Sequence, residues 1–164
     1  MIHVIVDDLA STQADAIVRP ADETLGPISP AGARLDERAG PRFAEQRRVF
    51  SSLKAGSAVV TGSGDLTAPF VLHVVIQDAE IRAGREVVRR ALVSAWQRAT
   101  DWELGVIAAP LVGTDADQLS VVDAATLLAE TFPADSLGCP KELRIIVDRD
   151  ADRVLVEATV RRIT

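Results

Sequence analysis

GREVVRRALVSAWQRATDWELGVIAAP, residues Gly84–Pro110, decides the fold class. Val87, Val88, Ala91, Leu92, Ala95, Trp96 and Ala99 recur at helical spacing on one stripe, so Gly84–Trp102 is expected to be an amphipathic helix. Leu104–Pro110 is instead a short continuous apolar run, the pattern of a strand buried on both faces. A loop, Leu111–Leu119, follows. Ser120, with Asp123 at the third helical position, reads as the N-cap of a helix through Leu128 to about Phe132. Leu143–Val147 and Arg153–Val160 are expected as two closing strands, the second alternating in a half-exposed way. The late helix, strand, helix, strand order predicts parallel pairing.

Upstream, Met1–Val6 is a β-rich apolar run ended by Asp7–Asp8, and Asp15–Val18 is a second short strand closed by Arg19–Pro20. Ala21–Pro30, with Gly26, Pro27 and Pro30, reads as an irregular loop. From Ala33 the pattern turns helical through Leu35, Ala39, Phe43 and Val49, with Gly40–Pro41 splitting it into two segments. Gly56–Thr61 and Phe70–Ile76 are strongly β and flank a turn at Gly62-Ser63-Gly64-Asp65, which predicts an antiparallel pair. The sum is a three-layer α/β/α fold around a central mixed sheet, in a single domain spanning residues 1–164.

Composition narrows the function. The chain has 164 residues, 48% hydrophobic and 26% charged, enough to bury a core without disulfide or metal staples. Cys139 is its one cysteine, which excludes an internal disulfide and fits a cytoplasmic location. No signal peptide or membrane span is visible, and no membrane partner is expected. The net charge is −6 and Lys54 and Lys141 are the only lysines, so there is no basic stripe for a phosphate backbone. With no Tyr, two Trp and four Phe, base stacking has few platforms, and no nucleic-acid partner is expected.

Several motifs resolve to plain structural readings. Gly62-Ser63-Gly64 opens like a dinucleotide fingerprint, but a strand follows where the pyrophosphate needs a helix N-terminus. Asp148-x-Asp150-x-Asp152 opens like a calcium loop, but Arg153 stands at the glycine position and Thr159 at the glutamate position, leaving a solvated turn between strands. His3 and His73 lie inside apolar runs with no ligand at metal spacing, so no metal and no cofactor are implied, and His73 reads as a core histidine. No G-x-S-x-G elbow is present, and Cys139 has no nearby histidine.

Four polar clusters fall just after expected strands: Asp7–Asp8, Asp22–Glu23, Gly113-Thr114-Asp115 and Asp148–Asp150. If these strands are co-oriented, the clusters converge where open α/β sheets bind ligands; otherwise they only terminate strands in polar loops. The order of segments resembles a macro domain, the module that binds ADP-ribose and its derivatives. Asp7-Asp8-Leu9-Ala10 stands where that family has Gly-Asp-Ile-Thr. Asp15-Ala16-Ile17-Val18 followed by Arg19-Pro20-Ala21-Asp22 stands where it has Asp-Ala-Ile-Val and Asn-Ala-Ala-Asn. Gly56-Ser-Ala-Val-Val-Thr61 and Val71-Leu-His73-Val-Val75 reproduce Gly-x-Ala-x-x-Thr and Val-x-His-x-Val, and Ala109-Pro110-Leu-Val-Gly113-Thr114-Asp115 occupies the second phosphate loop.

The resemblance implies a ligand cleft formed by Asp8, Leu9, Ala21, Asp22, Ser29, Gly113, Thr114, Asp115 and Arg149, with Asp8 at the family's adenine-contacting aspartate and Arg149 at its stacking aromatic. The departures lie in that cleft. The family's asparagines become Arg19 and Asp22, and its glycine run becomes Gly26-Pro27-Ile28-Ser29-Pro30, in which the prolines lack the N–H that a diphosphate would accept. Asp115 adds negative charge there unless Arg19 or Arg34 compensates. Three readings follow. The domain is a non-catalytic binder of ADP-ribose or a related nucleotide; or it is an ADP-ribosyl hydrolase with Asp22 as general base; or its cleft is filled by Ile28 and Pro30 and it works as an interaction protein, with a homodimer through Arg153–Val160.

Overall fold

Among the described residues, 1–115, 118–133 and 137–164 of a computed structural model, six strands and five helices follow one another along the chain. They are β1 (Ile2–Val6), β2 (Ala16–Ala21), α1 (Pro30–Ala39), α2 (Pro41–Arg48), β3 (Ala58–Gly62), β4 (Phe70–Val75), α3 (Arg85–Asp101), β5 (Val106–Ala109), α4 (Val121–Thr131), β6 (Glu142–Val147) and α5 (Asp150–Ile163). The sheet order is β1-β6-β5-β2-β4-β3, parallel throughout except that β3 runs antiparallel on β4. This is the expected mixed sheet, with the late elements parallel and Phe70–Val75 turned back against β3.

Two cores follow from the side-chain periods. The α3 stripe (Val88, Leu92, Trp96) meets Leu72, Val74 and Ile107 on one sheet face, joined by Leu128 of α4 and Val156 of α5. Ala39 and Phe43, from α1 and α2, pack on Ile17, Val71 and Ala108 of the other face. Ser120 caps α4 as its position predicts, its Oγ accepting from the Asp123 N–H at 3.0 Å. Gly40 separates α1 from α2 at φ +86, a left-handed conformation that costs a glycine little, and Pro41 starts the next helix. The expected loop Leu111–Leu119 includes positions 116 and 117, which lie outside the described residues.

Three boundaries differ from the sequence reading. Arg153–Val160 is not a strand but the body of helix α5. Its β-branched valines and threonine imitate strand alternation, yet Val156, Thr159 and Val160 are buried at helical spacing. Arg153 also bonds Glu157 one turn on at 2.8 Å. Asp150 and Asp152 in the first turn and Arg161 and Arg162 in the last complement the helix dipole, so Asp148–Asp152 leads into a helix rather than a turn between strands. A dimer through a strand at Arg153–Val160 is therefore not available. At the other boundary, α1 begins at Pro30, not Ala33, because Ser29 caps it and proline suits the first helical position.

The third difference opens the molecule. Strand β2 continues through Arg19 and Pro20, where the proline was expected to end it. Its odd residues bond β4, as Ile76 N–H to Ala21 O shows, so Pro20 turns its missing donor toward β5. The β2–β5 ladder stops after Ile17–Ala108, and the next donor on β5 would come from Pro110, which has none. Two prolines thus part adjacent central strands at their carboxyl ends, the place where α/β sheets open to ligands.

The main core sets stability. Leu92 is fully buried in it, so Leu92→Ala should destabilise the fold by about 2–5 kcal/mol in a urea titration, with the m-value unchanged.

Candidate functional site

A cleft of about 480 Å³ lies at that opening. Its floor is Pro20 and Arg19 of β2, Pro110 after β5, and Ile146 and Val147 of β6; its walls are the loop after β1 and the face of α1. Because α1 starts at Pro30, residues Ala31, Arg34, Leu35 and Arg38 fall on one helical face, and that face lines the cleft. Ser29 holds the start of the helix, its Oγ accepting the Gly32 N–H at 3.0 Å.

The floor rests on a buried polar network. The Arg19 side chain is fully buried, and its Nε and Nη2 donate to the two oxygens of Asp36, each at 2.7 Å. Its Nη1 lies 3.2 Å from His73 Nδ1. Arginine can only donate, so Nδ1 accepts and the histidine proton sits on Nε2. That nitrogen donates to Thr61 Oγ1 at 2.8 Å, and the threonine hydroxyl donates to the Gly62 carbonyl at 2.9 Å. Phe43 stacks on the imidazole and lies under the guanidinium groups of both Arg19 and Arg47. Burial, with the positive charges of Arg19 and Arg47 beside it, holds the His73 pKa well below its ordinary value. His73 is thus a satisfied core histidine.

Of the residues singled out from the sequence, Asp8, Leu9, Ser29, Thr114 and Asp115 line the cleft. The Asp8 carboxylate accepts from the Ala10 N–H and pairs with Arg38 across the cleft mouth; the Arg38 bond is the main cause of its lowered pKa. Asp115 is half enclosed. Burial raises its pKa, only partly offset by a hydrogen bond from Ser29 that ties the second loop to the start of α1. Thr114 Oγ1 donates to Leu111 O at 3.0 Å, tightening the same loop.

Four others are placed elsewhere. Ala21 is fully buried in a small cluster with Leu25 and Val75. Asp22 turns its Oδ1 into its own turn, accepting from the N–H groups of Thr24 and Gly26 and from the Thr24 hydroxyl. Burial opposes its ionisation, but these bonds outweigh it and lower the pKa, leaving a weak base. Gly113, at φ +96, is backed by Leu119 and lies behind the wall. Arg149 is exposed and pairs with Asp152, itself a lining residue. Ile28 packs against the main core and does not line the cleft.

The sequence reading missed Arg34 and Arg38 as a pair; the helical register counted from Ser29–Pro30 is the signal that finds them. Arg19 is held by Asp36 and Arg38 by Asp8, whereas Arg34 is exposed and makes no ion pair among the described residues. Arg34 is therefore the cation in this wall available to an anionic ligand. Among the described residues no three His, Cys, Asp or Glu side chains gather to hold a metal.

Comparison with known proteins adds the lineage. The macro domain family profile matches residues 18–128. A macro domain-containing protein of Streptomyces coelicolor is 31% identical over 156 residues, covering 89% of this chain and 90% of its own. One from Caldanaerobacter subterraneus subsp. tengcongensis is 26% identical over 158 residues, covering 92% and 90%. Among solved structures, a point mutant of the Oceanobacillus iheyensis macrodomain with ADPR superimposes with a TM-score of 0.80 at 16% identity, over 97% of this chain and 91% of that one. The Trypanosoma brucei macrodomain in complex with ADP gives 0.83 at 20% identity, over 97% and 68%.

Two predictions test the network under the cleft. Asp36→Ala leaves the Arg19 charge buried without its partner and should cost about 3–5 kcal/mol in denaturant unfolding. Because native His73 stays neutral while the unfolded chain takes up a proton below about pH 6.5, stability should fall as pH drops from 7 toward 5. The slope should approach about 1.4 kcal/mol per pH unit, and His73→Gln should remove that part of it.

Proposed function

Since the chain belongs to the macro domain family, we propose that it is a diverged, non-catalytic member that binds ADP-ribose or a related nucleotide in the cleft between β2 and β5. The observation that carries this reading is the cleft itself. It lies at the carboxyl ends of four co-oriented strands, beside the capped start of a 10-residue helix and with the unpaired Arg34 on its wall. Helix N-termini and a free guanidinium both favour an anion, and the apolar floor of Ile146 and Val147 suits a base or ribose face.

Asp22 is poorly placed and poorly tuned to drive turnover. A general base has to reach the water it activates and have a pKa near the working pH. Asp22 lines no part of the cleft, its acceptor oxygen is already engaged by Thr24 and Gly26, and its pKa is depressed. Prolines 27 and 30 remove backbone donors from the loop ahead of α1, and Asp115 places a carboxylate on the opposite wall, so charge stabilisation of a reacting diphosphate is weak.

Thermal unfolding with ADP-ribose, AMP and NAD tests both parts. A bound nucleotide at 100 times its dissociation constant stabilises the fold by about 2.7 kcal/mol, and no shift with any of the three removes the binding reading. Arg34→Ala should weaken binding by about tenfold or more, the loss of one charge-assisted hydrogen bond. Asp22→Ala should leave affinity unchanged. Release of ADP-ribose from a modified peptide by the wild type, lost in Asp22→Ala, would establish the hydrolase reading instead.

A further inference from the structure

We infer that β1 is a self-pairing edge, through which two copies of the chain join antiparallel about a two-fold axis at Val4 into one continuous sheet. Strand β1 ends the sheet order, with β6 on one side only. Its ladder to β6 is flanked by Leu143 N–H to Met1 O and Asp7 N–H to Val147 O, so the odd residues of β1 face β6. By alternation, the N–H and C=O groups of Ile2, Val4 and Val6 point outward.

This outward row is complementary to itself. Antiparallel pairing about Val4 sets Ile2 against Val6 of the second copy, and Val4 against Val4 of the second copy. Each facing pair exchanges two backbone hydrogen bonds in the hydrogen-bonded geometry. The side chains agree with the backbone. Ile2 and Val4 pack toward the α5 face of the sheet, so the cross-strand pairs on that face are aliphatic. Val6, 45% exposed in the single chain, gains Ile2 of the second copy as a neighbour.

A groove runs along β1 beneath α5, lined by Glu157, Val160 and Arg161, with Glu157 already paired to Arg153 and Arg161 of its own helix. The two-fold axis sets the α5 helices of the two copies antiparallel on the same face of the joined sheet. The edge also lacks what normally blocks such pairing, since Ile2–Val6 contains no proline, lysine, glycine or bulge. At the opposite edge the end of β3 and the residue before it are capped: Gln46 accepts the outward Gly62 N–H at 2.7 Å, and Ser94 donates to Gly56 O at 3.0 Å.

Sedimentation equilibrium and amide hydrogen exchange on the full chain test the pairing. The expected result is a concentration-dependent species of about 35 kDa, twice the 17.5 kDa chain. Protection of the Ile2, Val4 and Val6 amides should rise with concentration, while that of His3 and Ile5, held by β6, stays constant. Val4→Pro deletes an outward donor without touching the β6 ladder and should give a folded monomer. If that variant fails to fold, Val6→Lys, at an exposed position, should be monomeric at concentrations where the wild type is dimeric. A 17.5 kDa species at every concentration, an assembly larger than a dimer, or a dimer that survives both substitutions would overturn the proposal.

Discussion

The pairing of a fully buried arginine with an aspartate from a different layer governs the geometry of this protein. Arg19 sits in the central strand β2, where its charge has no water, and Asp36 of α1 answers it with both oxygens. An uncompensated charge there costs several kcal/mol, so α1 is held over β2 in one register. That register turns Arg34 and Arg38 to the cleft, sets Ser29 at its rim and brings Phe43 of the next helix onto His73. The same guanidinium fixes the histidine tautomer, and through it the Thr61 hydroxyl of β3, so one residue ties β2, β3, β4 and α1 together.

The cleft depends on a second constraint, the lack of amide hydrogens at Pro20 and Pro110. Parallel strands stay together while each can donate to the other, and these two positions end that exchange on both sides at the same level. The gap they leave is floored by apolar β6 residues and walled by charges that are mostly matched in pairs. Among the described residues, what remains for a ligand is one free guanidinium, a capped helix start and a half-buried carboxylate, a sparser anion site than glycine-rich loops would build. Those residues are the basis for the proposal that the pocket binds a nucleotide without turning it over.

Much of the architecture was legible because apolar periods differ plainly between helix and strand. The α3 stripe, the Ser120 cap, the Gly40–Pro41 break and the antiparallel β3–β4 pair all followed from local pattern. The failures share a cause. Arg153–Val160 reads as a strand while its valines are weighed by propensity alone; the Arg153–Glu157 pairing and the burial of Val156 and Val160 against the sheet make it a helix. Pro20 reads as a strand terminator until one knows that its missing donor faces a gap.

The candidate site shows the same division. Polar clusters after strands marked the end of the sheet where the cleft lies, and Asp8, Leu9, Ser29, Thr114 and Asp115 came from that pattern and its family likeness. Spacing carried no sign that Asp22 would fold its carboxylate into the Thr24–Gly26 turn, or that Ala21 would enter the core. The sequence by itself determined the order of elements as far as β6, the family and the end of the sheet that opens, because these depend on local periodicity and on residues close in the chain. Only the tertiary structure decided which charges are already paired, which strands lie at the sheet edges and which carboxylates face the cleft, because each is settled by partners far apart in sequence, as Arg19 is by Asp36 and His73.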